Sequence, residues 1–170
     1  MLYWLTSGLT THESDPDITH DSVIQVVKEM GRCSPLHSPL PVPDLVYMGT
    51  GQRHMGTFDA VTIAFGVSYP RSNIRWSPIL GSADIVTPGG DYVMLANGAK
   101  VKRCDYIIPY AMPIVDMWDW LRTFEVAHRD KSVLLITDQA TFRALCHAET
   151  EPATMYTIHL NSRTVTKYVP

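Results

Sequence analysis

Six residues in three short segments could do chemistry together: Thr6, Ser7 and Gly8, then Arg53, then Asp138 and Gln139. Each segment follows an apolar run that reads as a buried strand: Leu2 to Leu5, Leu45 to Met48 and Val133 to Ile136. In sheets built from such strands, ligands bind beyond the carboxyl ends. Arg53 is expected at a helix N-terminus, where backbone N–H groups and the helix dipole favour an anion. Ser7 can serve as a nucleophile if a base such as Asp138 takes its proton. The plainer readings are a solvated surface charge for Arg53 and a helix cap for Asp138. No phosphate-cradling P-loop, dinucleotide fingerprint or zinc-protease motif occurs. The seven histidines lack metal-ligand spacing. Neither a metal nor a cofactor is expected.

The elements that must position these residues follow from the sequence pattern. Thr19 can cap a helix carrying Val23, Val26, Val27 and Met30 on one face, with Gly31 as its stop. Ser34 to Pro43 is proline-rich and reads as a loop. After a glycine-bearing turn, Gly49 to Gly51, the segment Arg53 to Phe65 reads as helical, with Gly56 weakening it. Pro70, Pro78 and Pro88 break the middle into short pieces, and Pro88-Gly89-Gly90 reads as a turn. Tyr92 to Leu95 and Lys100 to Arg103 flank Asn97-Gly98, a favoured hairpin turn. Pro113 can open a helix that points Trp118, Leu121 and Phe124 inward. Gln139 to His147 reads as a helix. Met155 to Leu160 and Thr164 to Val169 read as a closing hairpin around Asn161-Ser162. Buried strands alternating with helices predict a three-layer α/β/α sandwich with a mainly parallel sheet, formed by residues 1–170 as one domain.

Composition narrows the function classes. The chain has 170 residues, 45% apolar and 18% charged, with formal charge -3. Those fractions are globular rather than disordered. The acidic balance argues against nucleic acid, which needs a clustered basic surface. Lys100, Lys102 and Arg103 form the only basic cluster local in sequence. Cys33, Cys104 and Cys146 are odd in number and far apart, so reduced thiols and a cytoplasmic location are expected. No apolar run is long enough for a membrane span, and the start lacks a signal-peptide pattern.

The order of segments resembles the histidine phosphatase (phosphoglycerate mutase-like) superfamily. Leu2-Tyr3-Trp4-Leu5-Thr6-Ser7-Gly8 resembles the family's opening strand followed by RHGET. Ile18-Thr19, Ser22 and Gln25-Val26 are similar to its LTxxGxxQA helix. Pro43-Asp44-Leu45-Val46-Tyr47, then Arg53 and Thr57, resemble PDLVYSSxxxRAxxTA. Val133 to Leu145, ending Phe142-Arg143-Ala144-Leu145, resembles VLVVSHGGxIRAL. The resemblance spans most of the chain except about residues 66–112.

What the resemblance implies for activity turns on the departures. In the family a histidine takes the phosphoryl group, ringed by two arginines and a second histidine. Here Thr6 stands at the first arginine, Ser7 at the nucleophile, and Asp138 at the second histidine. Arg53 alone of the four remains. A phosphoserine is far harder to hydrolyse than a phosphohistidine, and losing a nucleophile costs orders of magnitude in rate. The expectation is a catalytically inactive relative, a pseudoenzyme with a binding or regulatory role. Two alternatives stand beside it: a hydrolase using Ser7 and Asp138 in the same cleft, and a structural or partner-binding subunit. Expected partners are a small anionic ligand, another protein or a second copy of the chain, and neither nucleic acid nor a membrane. Asp138 is further expected to pair with Arg53, leaving the cleft nearly neutral and phosphate weakly held.

Overall fold

The computed structural model describes residues 2–10, 17–49, 51–77, 80, 85–89, 92–95, 100–102, 117–137, 139, 142–143 and 149–170. In chain order the elements are β1 (Leu2–Thr6), α1 (His20–Cys33), β2 (Leu45–Met48), α2 (Gln52–Phe65) and β3 (Ile74–Trp76). Then come β4 (Ile85–Gly89), β5 (Tyr92–Leu95), β6 (Lys100–Lys102), α3 (Met117–Ala127), β7 (Val133–Thr137), β8 (Met155–His159) and β9 (Thr164–Lys167). Six strands form one sheet in the order β3-β2-β7-β1-β8-β9. The first four run parallel, and β8 and β9 are antiparallel. The strands β4, β5 and β6 form a separate antiparallel sheet.

Strand alternation builds the three layers. Tyr3 and Leu5, Val46 and Met48, Leu134 and Ile136, and Met155 enter one core with Val26 and Met30 of α1 and Phe58 and Val61 of α2. Trp4, Leu45, Tyr47, Val133, Leu135 and Tyr156 enter the other core, with Trp118, Leu121 and Phe124 of α3 and with Phe142. The central strands β1 and β7 are buried on both faces, which is why their sequences read as unbroken apolar runs.

Several expectations need adjustment. Helix α1 does not stop at Gly31 but continues to Cys33, which is buried in the core. Nothing lies within 4 Å of where a side chain would start at Gly31, so the glycine marks no close contact. Helix α2 tolerates Gly56 because the Asp17 carboxylate lies against its backbone, where a side chain would collide. This helix ends at Phe65 as expected, and Gly66 caps it with a positive φ of 63° that suits glycine. Pro88 and Gly89 lie in β4 rather than in a turn. As an edge strand, β4 can accept a residue without an N–H. The helix carrying Trp118 is described from Met117, and the expected start at Pro113 lies outside the described residues. The Asn97-Gly98 turn also lies outside them, although β5 and β6 pair as expected.

Burial pushes the Cys33 thiol up to about 12, with the Glu29 carboxylate adding to the effect, so the thiol stays protonated near neutrality. Glu29 joins α1 to the start of β8. Its carboxylate accepts from Arg32 at 2.6 and 2.7 Å and from the Met155 backbone N–H at 2.8 Å. Burial works to raise the Glu29 carboxyl, but the Arg32 and Met155 hydrogen bonds bring it below its ordinary value. Stability from this group is therefore present above the ordinary carboxylate range and lost as pH falls through the lowered folded value. Glu29→Ala should cost about 1.5–3 kcal/mol, the scale of a hydrogen bond to a charged group. It should also flatten the acid limb of stability against pH. Urea denaturation at several pH values tests both, and an unchanged acid limb would show that Glu29 is not the linked group.

Candidate functional site

The cleft begins where β1 ends. Ser7 donates its N–H to Thr137 O at 2.7 Å and accepts from Ala153 N at 3.0 Å. Both main-chain groups of Ser7 are thus fixed by neighbouring segments of the sheet. Gly8 N donates to Thr57 Oγ1 at 3.2 Å, and Thr57 Oγ1 donates to Arg53 O at 2.7 Å. The loop after β1 is therefore tied to the first turns of α2, where Arg53 sits. A side chain on Gly8 would approach Ser22 Cβ to 2.7 Å, so α1 also presses on this loop. Leu9 O accepts from Thr19 N at 2.9 Å and from Ser22 Oγ at 3.1 Å.

The turn leading into α2 is equally constrained. The buried His54 ring accepts at Nδ1 from Gly51 N at 3.1 Å. That bond puts the proton of the neutral ring on Nε2. A side chain at Gly49 would fall 2.5–2.8 Å from three atoms of this ring, which explains glycine there. His54 thus packs against Gly49 and holds the Gly51 N–H at the entry to α2.

One cleft of about 330 Å³ gathers Ser7, Gly8, Leu9, Thr10, Arg53, Gln139 and Arg143. The three predicted segments thus meet through Ser7, Gly8, Arg53 and Gln139, at the carboxyl ends of β1, β2 and β7. The Gln139 amide donates to Thr150 O at 2.8 Å, which fixes its side chain. Thr6 does not take part. It is fully buried, and its Oγ1 lies 2.6 Å from Glu151 O while accepting from Thr154 N at 3.0 Å. Its hydroxyl serves the segment entering β8 rather than a ligand. Asp138 lies outside the described residues, so its expected pairing with Arg53 does too. Among the described residues, no three His, Cys, Asp or Glu side chains gather as a metal site.

Arg143, in the segment that resembles VLVVSHGGxIRAL, is a further cleft residue beyond those expected. The signal was present: Gln139 and Arg143 are four residues apart, one turn of a helix, and so share a face. Arg143 Nε lies 3.4 Å from Glu149 Oε2, with side chains 52% and 89% exposed. Exposed pairs of this kind contribute about 0–1 kcal/mol, so a ligand can compete for the guanidinium.

No protein-family model matches the sequence, and comparison with curated proteins finds no significant match. Solved structures do match. A protein from Escherichia coli K-12, proposed to be an alpha-ribazole-5'-P phosphatase, superposes with a TM-score of 0.57. It is 14% identical, over 99% of this chain and 94% of that one. The mycobacterial glucosyl-3-phosphoglycerate phosphatase in its native form gives 0.51 at 12% identity, over 91% and 87%. The protein histidine phosphatase SixA in complex with tungstate gives 0.50 at 14% identity, over 99% and 94%. The fold of this chain is the phosphoglycerate mutase-like α/β fold of these proteins. Among the described residues, no helix is long and apolar enough to cross a membrane.

Thr57 is the bond between loop and helix, which makes it the place to test the site's construction. Thr57→Val keeps the shape and removes the acceptor from the buried Gly8 N–H. The expected loss is about 1–3 kcal/mol, with Thr57→Ser losing less. Chemical denaturation of both variants measures it. Equal stability of wild type and Thr57→Val would mean that Gly8 does not depend on this hydroxyl.

Proposed function

We propose that this chain is a non-catalytic relative of the histidine phosphatases that uses the cleft to bind a small oxyanion. The observation that carries the reading is the cleft's composition. Its described lining holds two arginines, two hydroxyl residues and an amide, and no histidine, cysteine or carboxylate among them. Cations suited to an oxyanion are present, while a general base or histidine nucleophile is not among those residues. The resemblance adds that Ser7 stands where the family's nucleophile stands.

Charge favours binding over an empty neutral pocket. The expectation of near neutrality counted Arg53 against Asp138 and omitted Arg143. The described lining holds both arginines and no carboxylate, and Glu149 meets Arg143 only through an exposed ion pair that an anion can replace. The tungstate complex of SixA, a structural neighbour, supports an oxyanion as the ligand class. Arg53 anchors the anion from the fixed turn of α2, and Arg143 closes on it after leaving Glu149. The hydrolase alternative requires Asp138 to deprotonate Ser7.

Titration calorimetry with inorganic phosphate and tungstate should detect binding by the wild type. Arg53→Gln and Arg143→Gln should each weaken it roughly 10–100-fold, the equivalent of about 1.5–3 kcal/mol. Assays with small phosphate esters and phosphohistidine should show no turnover above background. A robust rate abolished by both Ser7→Ala and Asp138→Asn would replace this reading with the hydrolase. Wild-type binding unaffected by either arginine variant would remove the cleft as the anion site.

A further inference from the structure

A second concavity, of about 370 Å³, lies toward the opposite ends of the parallel strands. It arises from the pairing of β3 with β2. Tyr47 and Arg75 are register partners, so they stand side by side on one face of the sheet. Helix α3 packs on that face through Phe124, whose ring meets Tyr47 edge-on at 4.7 Å. The turn after α3 then brings Arg129, Asp130 and Lys131 to the rim.

The wall of this pocket is fixed. His128 is held at both ring nitrogens, Nδ1 to Phe124 O at 2.9 Å and Nε2 to Tyr47 OH at 2.9 Å. Its ring also stacks on Phe124 at 4.3 Å. With Nδ1–H donating to the carbonyl, Nε2 of the neutral ring accepts from the tyrosine. Lys131 N donates to His128 O at 3.0 Å, which closes the turn. Little ordering is left for a ligand to impose on this wall.

The charges are of one dominant sign. Among the described residues, Arg75, Arg129 and Lys131 face Asp130 in the lining and Asp44, which acts on Lys131 from beside it, a balance of +1 by three minus two. The whole chain carries -3. Arg75 is far in sequence from Arg129 and Lys131, so only the fold brings it to them. The terminal carbonyls of α3 oppose an anion here. That opposition is blunted because Phe124 O accepts from His128 N at 3.1 Å as well as from the His128 ring.

We infer that this pocket is a second anion site, separate from the cleft, for a compact oxyanion of the diphosphate class. Three cations in one pocket offer donors to two linked phosphoryl groups, which carry more negative charge and more acceptor oxygens than one phosphate. Ser72 and Asn73 add polar groups to the same lining.

The test is titration of the full chain with inorganic pyrophosphate and, separately, with inorganic phosphate. Three variants are compared with the wild type: Arg129→Gln combined with Lys131→Gln, Asp130→Asn, and Arg53→Gln. Arg129 and Lys131 are exposed turn residues, so their removal should leave the melting temperature nearly unchanged. The expected result is a pyrophosphate-binding event weakened at least about tenfold in the double variant. Asp130→Asn should strengthen it, and Arg53→Gln should leave it intact. Pyrophosphate should bind there more tightly than phosphate. Asp130→Asn keeps the test decisive if the double variant fails to fold, since it removes only an opposing charge. Wild-type protein without this event, or an event abolished by Arg53→Gln and indifferent to the other variants, overturns the inference. The latter outcome would leave the cleft as the sole anion site and its proposed role untouched.

Discussion

One main-chain junction, at Ser7, carries both the sheet and the cleft. Its N–H goes to Thr137 at the end of β7, and its carbonyl receives Ala153 just before β8. One residue later, Gly8 is bound to Thr57 in α2. Within two residues the chain is joined to three segments that are far away in sequence. A buried backbone group without such a partner costs about 1–3 kcal/mol, so each bond constrains where the others lie. Moving the Ser7 segment would disturb the centre of the sheet and the helix that presents Arg53 together.

That construction divides the cleft into a fixed part and an adjustable part. Ser7, Gly8 and the α2 turn are held by buried bonds and by the Gly49–His54 contact. Arg143 is held by an exposed ion pair that a ligand can exchange for its own charge. A preorganised floor with one movable cation suits the capture of an anion. Thr6 shows how such a fold can redirect a position. Its hydroxyl is committed to Glu151 and Thr154, so it binds the frame together instead of serving the pocket.

Much of the frame was legible because the core writes itself into contiguous apolar runs. Val133 to Ile136 cannot face water on either side, and its strand was plain. The inward faces of α1 and α3 were readable from residues three and four apart, such as Val26 and Met30 or Leu121 and Phe124. Strand β3 was not legible. Ile74-Arg75-Trp76 has too few residues for a period, and its form depends on pairing with β2. The end of α1 was misread because Gly31 looks like a stop, yet burial of Cys33 carries the helix onward. At the site, Ser7, Gly8, Arg53 and Gln139 followed from the strand-end rule. The direction of Thr6 did not, since it is decided by residues some 145 positions later. The second basic pocket was also hidden, because Arg75 joins Arg129 and Lys131 only through the pairing of β3 with β2.

The central claim is that the cleft binds an oxyanion without forming a covalent intermediate. A crystal structure of the protein soaked with orthovanadate addresses both halves at once, because vanadate can sit as an ion or bond to a nucleophile. Vanadate is expected between Arg53 and Arg143, hydrogen-bonded near Ser7, with no bond to Ser7 Oγ. Vanadium bonded to Ser7 Oγ, or a cleft empty of vanadate at saturating concentration, would contradict it.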